Sequence, residues 1–348
     1  MEFLAEYGVF LAKAITIVVA AMIIIGTIVS AGMRTKKGAA GHIEVTHLNH
    51  ELEEMTDAIR SVALDKDVLK QELKNEKKQA KQEKKDRVKV EKEGGHKKRV
   101  YVLDFEGDIK ASAVESLREE ITSILSIAKK EDEVVLKLSS SGGMVHTYGL
   151  ASSQVQRICD RNIPLTICVD KVAASGGYMM ACIADKIIAA PFAILGSIGV
   201  VAQLPNFNRL LKKHDVDFEL MTAGEYKRTL TLFGENTDKG REKFMEELED
   251  THSLFKAFVV ENRPQLNIDE VATGEVWFGK RALAKKLIDE LGTSDDYLMS
   301  ACAQAEVYKV TYIHKKTLQD RLSMAAHSAC DRLILTWWER LTNFKFYS

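Results

Sequence analysis

The chain has 348 residues, carries 49 Lys+Arg against 50 Asp+Glu for a formal net charge of −1, and is 46% hydrophobic and 28% charged. That balance suits a folded core and excludes a disordered or collagen-like chain. Near-neutrality excludes the strongly basic surface of a dedicated nucleic-acid binder, and five cysteines without a CxxC pair exclude a complete disulfide framework.

Residues 14–33 are twenty in a row without a charge, rich in Ile, Val and Ala. At about 1.5 Å rise per residue, a helix of that length matches the roughly 30 Å hydrocarbon core of a bilayer, so one transmembrane helix is predicted. A cleaved signal peptide fits less well: its apolar core spans only about 7–15 residues after a basic start, whereas this chain begins with Glu2 and Glu6. Arg34, Lys36 and Lys37 follow the run and only Lys13 precedes it. The positive-inside rule then places the chain beyond the anchor in the cytoplasm, where unpaired thiols are also at home.

Val45, Leu48, Leu52, Met55, Ile59 and Val62 recur at alternating spacings of three and four, which predicts a helical stripe with a heptad seam in need of a partner. The pattern then dissolves into Lys/Glu-rich sequence ending at Gly94 and Gly95, a stalk and linker. Between residues 64 and 99, 14 Lys+Arg outnumber 8 Asp+Glu. Anionic lipid attracts such a surplus, although a solvated helix surface explains it more simply. His47 and His50 lack the third ligand that a metal site needs.

From about residue 100 short apolar runs alternate with amphipathic stretches, the pattern of βαβ units and of an α/β fold. Residues 100–105, 134–138 and 165–169 read as strands buried on both faces, and 112–130 and 145–160 as the helices between them. Cys168 and Cys182 lie in apolar runs and read as small buried hydrophobes. Chemistry is expected in the loops that leave such strands. Two stand out, Ser139-Ser140-Ser141-Gly142-Gly143-Met144 and Lys171-Val172-Ala173-Ala174-Ser175-Gly176-Gly177-Tyr178. Paired glycines let backbone N–H groups approach a ligand, but neither loop contains GxxxxGK[ST] or GxGxxG, so nucleotide binding lacks its phosphate motif. Ser175 stands between small residues where a helix begins, a position that exposes a nucleophilic hydroxyl and equally one found in structural turns.

These two loops, with Gly196-Ser197-Ile198-Gly199-Val200, Ala223-Gly224-Glu225-Tyr226-Lys227 and Thr273-Gly274-Glu275-Val276-Trp277-Phe278-Gly279 leading to Gly292-Thr293, resemble in order and spacing the serine-lysine peptidases of the signal peptide peptidase A family. The single-domain, membrane-anchored SohB-type branch is the most similar. The resemblance covers residues 100–293, and the anchor and charged stalk look like those of that branch. It implies a crotonase-like or ClpP-like α/β domain with parallel sheets and covering helices, and a membrane-anchored serine endopeptidase needing no metal, nucleotide or other cofactor. Its domains would be an anchor with basic flank (1–37), a charged helical stalk (38–98), a peptidase domain (99–310) and an amphipathic extension (311–348).

Carried over by position, Ser175 matches the nucleophile and Lys227, 52 residues later, the general base. Ser197 matches the residue whose hydroxyl orients the lysine, and Gly143 and Gly176 the donors of the oxyanion hole. A lysine accepts a proton only when neutral, and with an unperturbed pKa of about 10.4 only roughly one in a few thousand is neutral at pH 7. Burial is therefore expected around Lys227, which Leu220, Met221, Leu230, Leu232 and Phe233 flank in sequence. Ser141 occupies a position where the family usually has proline, which lifts a restriction on φ but leaves both glycines. His146 with Asp170 would be a rival base and acid.

The resemblance further implies a homo-oligomer acting on polypeptide, namely signal-peptide remnants or unfolded membrane-protein segments, at a bacterial inner membrane. The family has been described as periplasmic, opposite to the side that the charge bias favours. Residues 331–346, with Leu333, Ile334, Trp337, Trp338, Leu341 and Phe344 among charges, fit a membrane surface or a neighbouring subunit. Two other readings compete, a non-proteolytic crotonase-like acyl-transfer enzyme and a membrane scaffold with a vestigial site.

Overall fold

Short β-branched runs separated by amphipathic helices assemble into an α/β sheet in the computed structural model, which describes residues 41–65 and 98–315 and the isolated positions 13, 16 and 67. Residues 43–312 form one compact unit. In chain order the described elements are β1 (His42–His47), α1 (Leu48–Ala63), β2 (Arg99–Gly107), α2 (Val114–Leu125), β3 (Glu133–Ser140), α3 (Val145–Cys159), β4 (Leu165–Val169), β5 (Val172–Ala174) and α4 (Gly176–Ala181). There follow β6 (Lys186–Ala189), β7 (Ile194–Gly196), α5 (Asn208–Lys213), α6 (Asp238–Asn262), α7 (Ile268–Val271), β8 (Val276–Phe278), α8 (Gly279–Ala284), β9 (Glu290–Leu291), α9 (Ser294–Cys302) and β10 (Glu306–Ile313).

The main sheet runs β1-β10-β2-β3-β4-β6-β9, and a branch β5-β7-β8 leaves it at the end of β3. Strands β10, β2, β3, β4, β6 and β9 pair in parallel, as do β3 with β5 and β5 with β7, while β7 and β8 are antiparallel. The sheet is therefore mixed. The branch decides where the site forms. Ser140, the last residue of β3, pairs with Ala173 of β5, and Ala174 pairs with Gly196 of β7, so three strand ends and their outgoing loops converge.

Strand alternation splits the core in two, because successive side chains point to opposite faces. Tyr101, Leu103 and Phe105 join the larger cluster with Leu117, Ile121 and Ile124 of α2 and Tyr148, Ala151, Val155 and Ile158 of α3. Those helix positions recur every three or four residues, which places them on one face. Val100, Val102, Val135, Cys168 and Ile188 point the other way, where Leu48 of α1 and Leu298, Ala301 and Cys302 of α9 cover them.

Residues 42–47 form a strand rather than the start of the helical stripe. The edge of β10 offers unpaired backbone groups, and Ile43, Val45 and Thr46 favour extended geometry. The stripe itself holds from Leu48 to Val62. Its first turns pack on the sheet, and its end is bare, with Ile59 70% and Val62 88% exposed. Apart from Thr16, the apolar run 14–33 lies outside the described residues, as do residues 68–97 of the stalk and the whole of 331–346. Among the described residues no helix is long and apolar enough to cross a membrane.

Candidate active site

Ser175 links β5 to α4 with φ +52° and ψ −119°, a backbone region that side-chain-bearing residues seldom adopt. Two bonds hold it there: its N–H donates to Gly196 O at 2.8 Å and its C=O accepts from Met179 N–H at 2.9 Å. The sharp turn leaves the Ser175 side chain half-buried between buried Ala174 and buried Gly176. Among the described residues its hydroxyl has no hydrogen-bond partner.

The glycine loop after β3 presses against this turn. Gly142 has φ +85°, and a Cβ on it would lie 2.7 Å from Gly176 N and 2.8 Å from both Ala174 O and Ser175 Cβ. Only glycine fits there. A Cβ on Gly143 would lie 2.1 Å from Ile109 O, the carbonyl that also accepts Met144 N–H at 2.9 Å. The Gly142 N–H donates to Ser140 Oγ at 3.0 Å. Gly143 N–H has no partner among the described residues, and Gly176 is the first residue of α4, whose N–H has no acceptor within its helix. The Gly177 N–H, in the same first turn, likewise has no acceptor among the described residues, but it is Gly143 and Gly176 that line a small pocket of about 20 Å³ with Ser175.

Val145, Met179, Gly199, Val200, Thr251 and Phe255 complete that pocket. Thr251 and Phe255 come from α6, 76 and 80 residues beyond the serine, where sequence showed only a covering helix. The helix also braces the turn after β7, since the His252 ring nitrogen Nε2 lies 3.2 Å from Ile198 O. In that turn Ser197 has φ +51° and its N–H donates to Glu275 O at 2.7 Å. Ser197 is thus held beside Gly196, whose carbonyl fixes Ser175, and its own hydroxyl is uncommitted among the described residues.

Lys227 is placed differently from the burial expected of it. It lies in a bend after Gly224, its N–H on Gly224 O at 3.2 Å, and it is exposed. The apolar neighbours meant to bury it are mostly exposed themselves, Met221 at 86% and Leu220 at 47%. Residues 201–228 pair with no strand and sit off the sheet, so nothing among the described residues dries the amine. Among the described residues Lys227 Nζ makes no hydrogen bond or ion pair. The structure therefore brings Ser175, Gly143, Gly176 and Ser197 together and does not record Lys227 with them. Neighbouring Glu225 is held below the usual carboxylate range, chiefly by its hydrogen bond from Lys239 at 2.6 Å.

The rival base loses its acid. Asp170 accepts from Ser294 N–H at 2.8 Å and Ser294 Oγ at 2.5 Å, which ties it to α9, while His146 is exposed in the first turn of α3. Burial pushes the thiols of Cys168 and Cys182 up to about 12, as expected of inert packing cysteines. Tyr148, which sequence did not single out, is fully buried under both glycine loops.

Residues 2–155 match the N-terminal region of peptidase family S49 and residues 157–308 match peptidase family S49 itself. A protein of Haemophilus influenzae described as a probable protease SohB is 50% identical over 342 residues, 96% of each chain. The chain belongs to peptidase family S49. The probable protease SohB of Buchnera aphidicola subsp. Acyrthosiphon pisum is 55% identical over 240 residues, 69% of this S49 chain and 71% of the relative. The solved 1510-N membrane-bound stomatin-specific protease with a substrate peptide aligns at 15% identity and a TM-score of 0.41, over 65% of this chain and 96% of its own. Family membership and the two curated SohB relatives support a protease.

Proposed function

We propose that this S49 chain is a membrane-anchored serine endopeptidase in which Ser175 is the nucleophile and Lys227 the general base, on a crotonase-like or ClpP-like domain. The observation that carries the reading is the uncommitted hydroxyl of Ser175 on a strained turn, sharing one pocket with the open N–H groups of Gly143 and Gly176. Ser175 Oγ attacks the peptide carbonyl carbon as its proton passes to the lysine amine, and the carbonyl oxygen, now an oxyanion, takes the two N–H bonds. The lysine then protonates the leaving amine, the C–N bond breaks, and an acyl ester stays on Ser175. A water that gives its proton to the same amine releases the acid and regenerates the serine.

A lysine base needs a dry surrounding, and Lys227 has none among the described residues. It stands among residues 201–233, a stretch that exposes Val201, Phe207, Phe218, Met221 and Phe233. So much apolar surface in one segment marks an interaction surface. The reading is therefore that a second copy packs against this segment and that Lys227 serves Ser175 across that contact, with the Ser197 hydroxyl orienting the amine. The anchor at 14–33 fixes the assembly to a membrane. Substrates would be extended polypeptides, such as signal-peptide remnants or membrane-protein fragments, with a small residue on the acyl side to suit a pocket of about 20 Å³.

Mixing tests this. Ser175→Ala and Lys227→Ala are each expected to reduce cleavage of an unfolded polypeptide and labelling by a fluorophosphonate to background. Co-assembled from a mixture of the two chains, they are expected to regain about a quarter to a half of parental turnover. Undiminished cleavage by Ser175→Ala would sink Ser175 as the nucleophile. Inactive single variants that never complement would sink only the sharing between copies.

A further inference from the structure

Two glycine loops must be held at a fixed separation for their N–H groups to meet one oxygen, and one buried side chain touches both. Tyr148, in the first turns of α3, is fully buried. Its ring lies under Gly176, where a Cβ would come within 2.3 Å of Tyr148 Cγ. Its hydroxyl reaches the other loop: Tyr148 O–H donates to Asp108 O at 2.7 Å, and Ser140 Oγ lies 2.6 Å from the phenol oxygen. Ser140 Oγ in turn accepts Gly142 N–H at 3.0 Å. Only one set of donors satisfies every atom. Gly142 N–H donates to Ser140, Ser140 O–H to Tyr148, and Tyr148 O–H to the Asp108 carbonyl.

We propose that Tyr148 is a positioning residue for the oxyanion hole, its ring setting the height of Gly176 and its hydroxyl, through Ser140 and Gly142, fixing the plane of the Ser141–Gly142 peptide and so the stretch of loop that carries the Gly143 N–H. The inference rests on the hydrolase reading above and adds to it. The relay accounts for how the loop keeps its shape with Ser141 where a proline would restrict φ: three hydrogen bonds in sequence replace a ring. It also uses up the Gly142 N–H, so that of these two glycines Gly143 is the one whose N–H has no partner among the described residues. Both contacts of Tyr148 are internal, and it touches neither the pocket nor substrate.

The test uses the full-length protein in detergent. Tyr148→Phe keeps the ring under Gly176 and removes the hydroxyl. Turnover is expected to fall roughly 10- to 100-fold, less than the roughly 10²–10³ for outright loss of an oxyanion donor, with KM within about twofold. Affinity for a peptide aldehyde, which forms a tetrahedral adduct on Ser175, should fall by the same factor. Affinity for an uncleavable peptide of the same sequence should not. Ser140→Ala should give a similar loss, and the double variant no more than the worse single one, because all three remove the same relay. Ser152→Ala, at a buried hydroxyl on α3 without a partner, is the control and should leave all four quantities unchanged. Parental turnover in Tyr148→Phe, or equal losses for aldehyde and uncleavable peptide, overturns the positioning role while Ser175-dependent cleavage by the parent stands. Absence of that cleavage in the parent overturns the hydrolase reading and this role with it.

Discussion

Gly142→Ala perturbs the contact between the two loops most directly. The residue's φ of +85° is one that an L side chain enters at a cost, about 1–2 kcal/mol for left-handed backbone. The methyl would also meet Gly176 N at 2.7 Å and Ala174 O and Ser175 Cβ at 2.8 Å, against an ordinary contact of 3.4 Å or more. Two of those three atoms are backbone, so no rotamer change relieves the clash, and overpacking of this kind costs typically about 1–3 kcal/mol. The sum is about 2–5 kcal/mol, which at about 2–4 °C per kcal/mol for a domain of this size lowers Tm by roughly 4–20 °C. Relief of the clash parts the glycine loop from the Ser175 turn by about 0.7 Å, and a displacement of about 1 Å costs about 10² in rate. Fluorophosphonate labelling of Ser175 should therefore slow by roughly 10- to 100-fold at a temperature where the variant is still folded. Gly149→Ala is the control: nothing lies within 4 Å of its added methyl, and in the body of α3 it should stabilise by about 0.5–1 kcal/mol. Parental labelling by Gly142→Ala at an unchanged Tm would show that the loops are not in the contact described, and would remove the geometric basis of the site.

Two further predictions concern titrating groups. With Cys168 and Cys182 pushed up to about 12 from 9.0, their thiolate at pH 8 is about a thousandfold scarcer than in the unfolded chain; iodoacetamide should modify neither in the native protein and both in denaturant, as read by peptide mass mapping. Burial raises the Glu120 carboxyl above its ordinary 4.5, against the opposing hydrogen bond from Tyr312 N–H, with Asp104 adding and Lys309 subtracting. A raised folded pKa gives stability that is present below the unfolded value and lost as pH rises through the folded one. Glu120→Gln keeps the acceptor for Tyr312 N–H, so its melting curve should match the parent near pH 4 and lie above it at pH 7. A lower Tm than the parent at pH 7 would reverse the assigned sign.

The strands were legible where side-chain pattern alone decides them. Residues 100–105 and 134–138 appear as β2 and β3 with slightly wider bounds and 165–169 as β4 with the bounds read, because an apolar β-branched run has little choice inside a parallel sheet. Residues 42–47 were misread because Val45 continues the three-four spacing of the following helix, and what makes them a strand is the open edge of β10, about 260 residues away in sequence. Ser175, Gly143, Gly176 and Ser197 were placed together by the family resemblance, and the local trace beneath it was limited to glycine pairs at strand exits. Tyr148, Thr251 and Phe255 leave none: a buried tyrosine and two helix positions look like core until the loops above them are seen. Lys227 was expected to be buried by its apolar neighbours, but sequence does not say whose surface that segment covers, and among the described residues both the lysine and most of the segment are exposed.

That exposed segment and the strained serine turn are best understood as one design problem. A nucleophile and base held permanently in one chain would have the amine desolvated whenever the protein was folded, at a cost to stability of several kcal/mol if it stayed charged. If a second copy covers this segment as proposed, carrying the lysine on an exposed arm would defer that cost until exposed apolar neighbours such as Phe218 and Met221 are buried with it. Burial of those side chains, each releasing about 1.5–3 kcal/mol, is then available to offset desolvation of the amine. On this reading assembly and activation are a single step, and a lone copy has a formed oxyanion pocket without a working base.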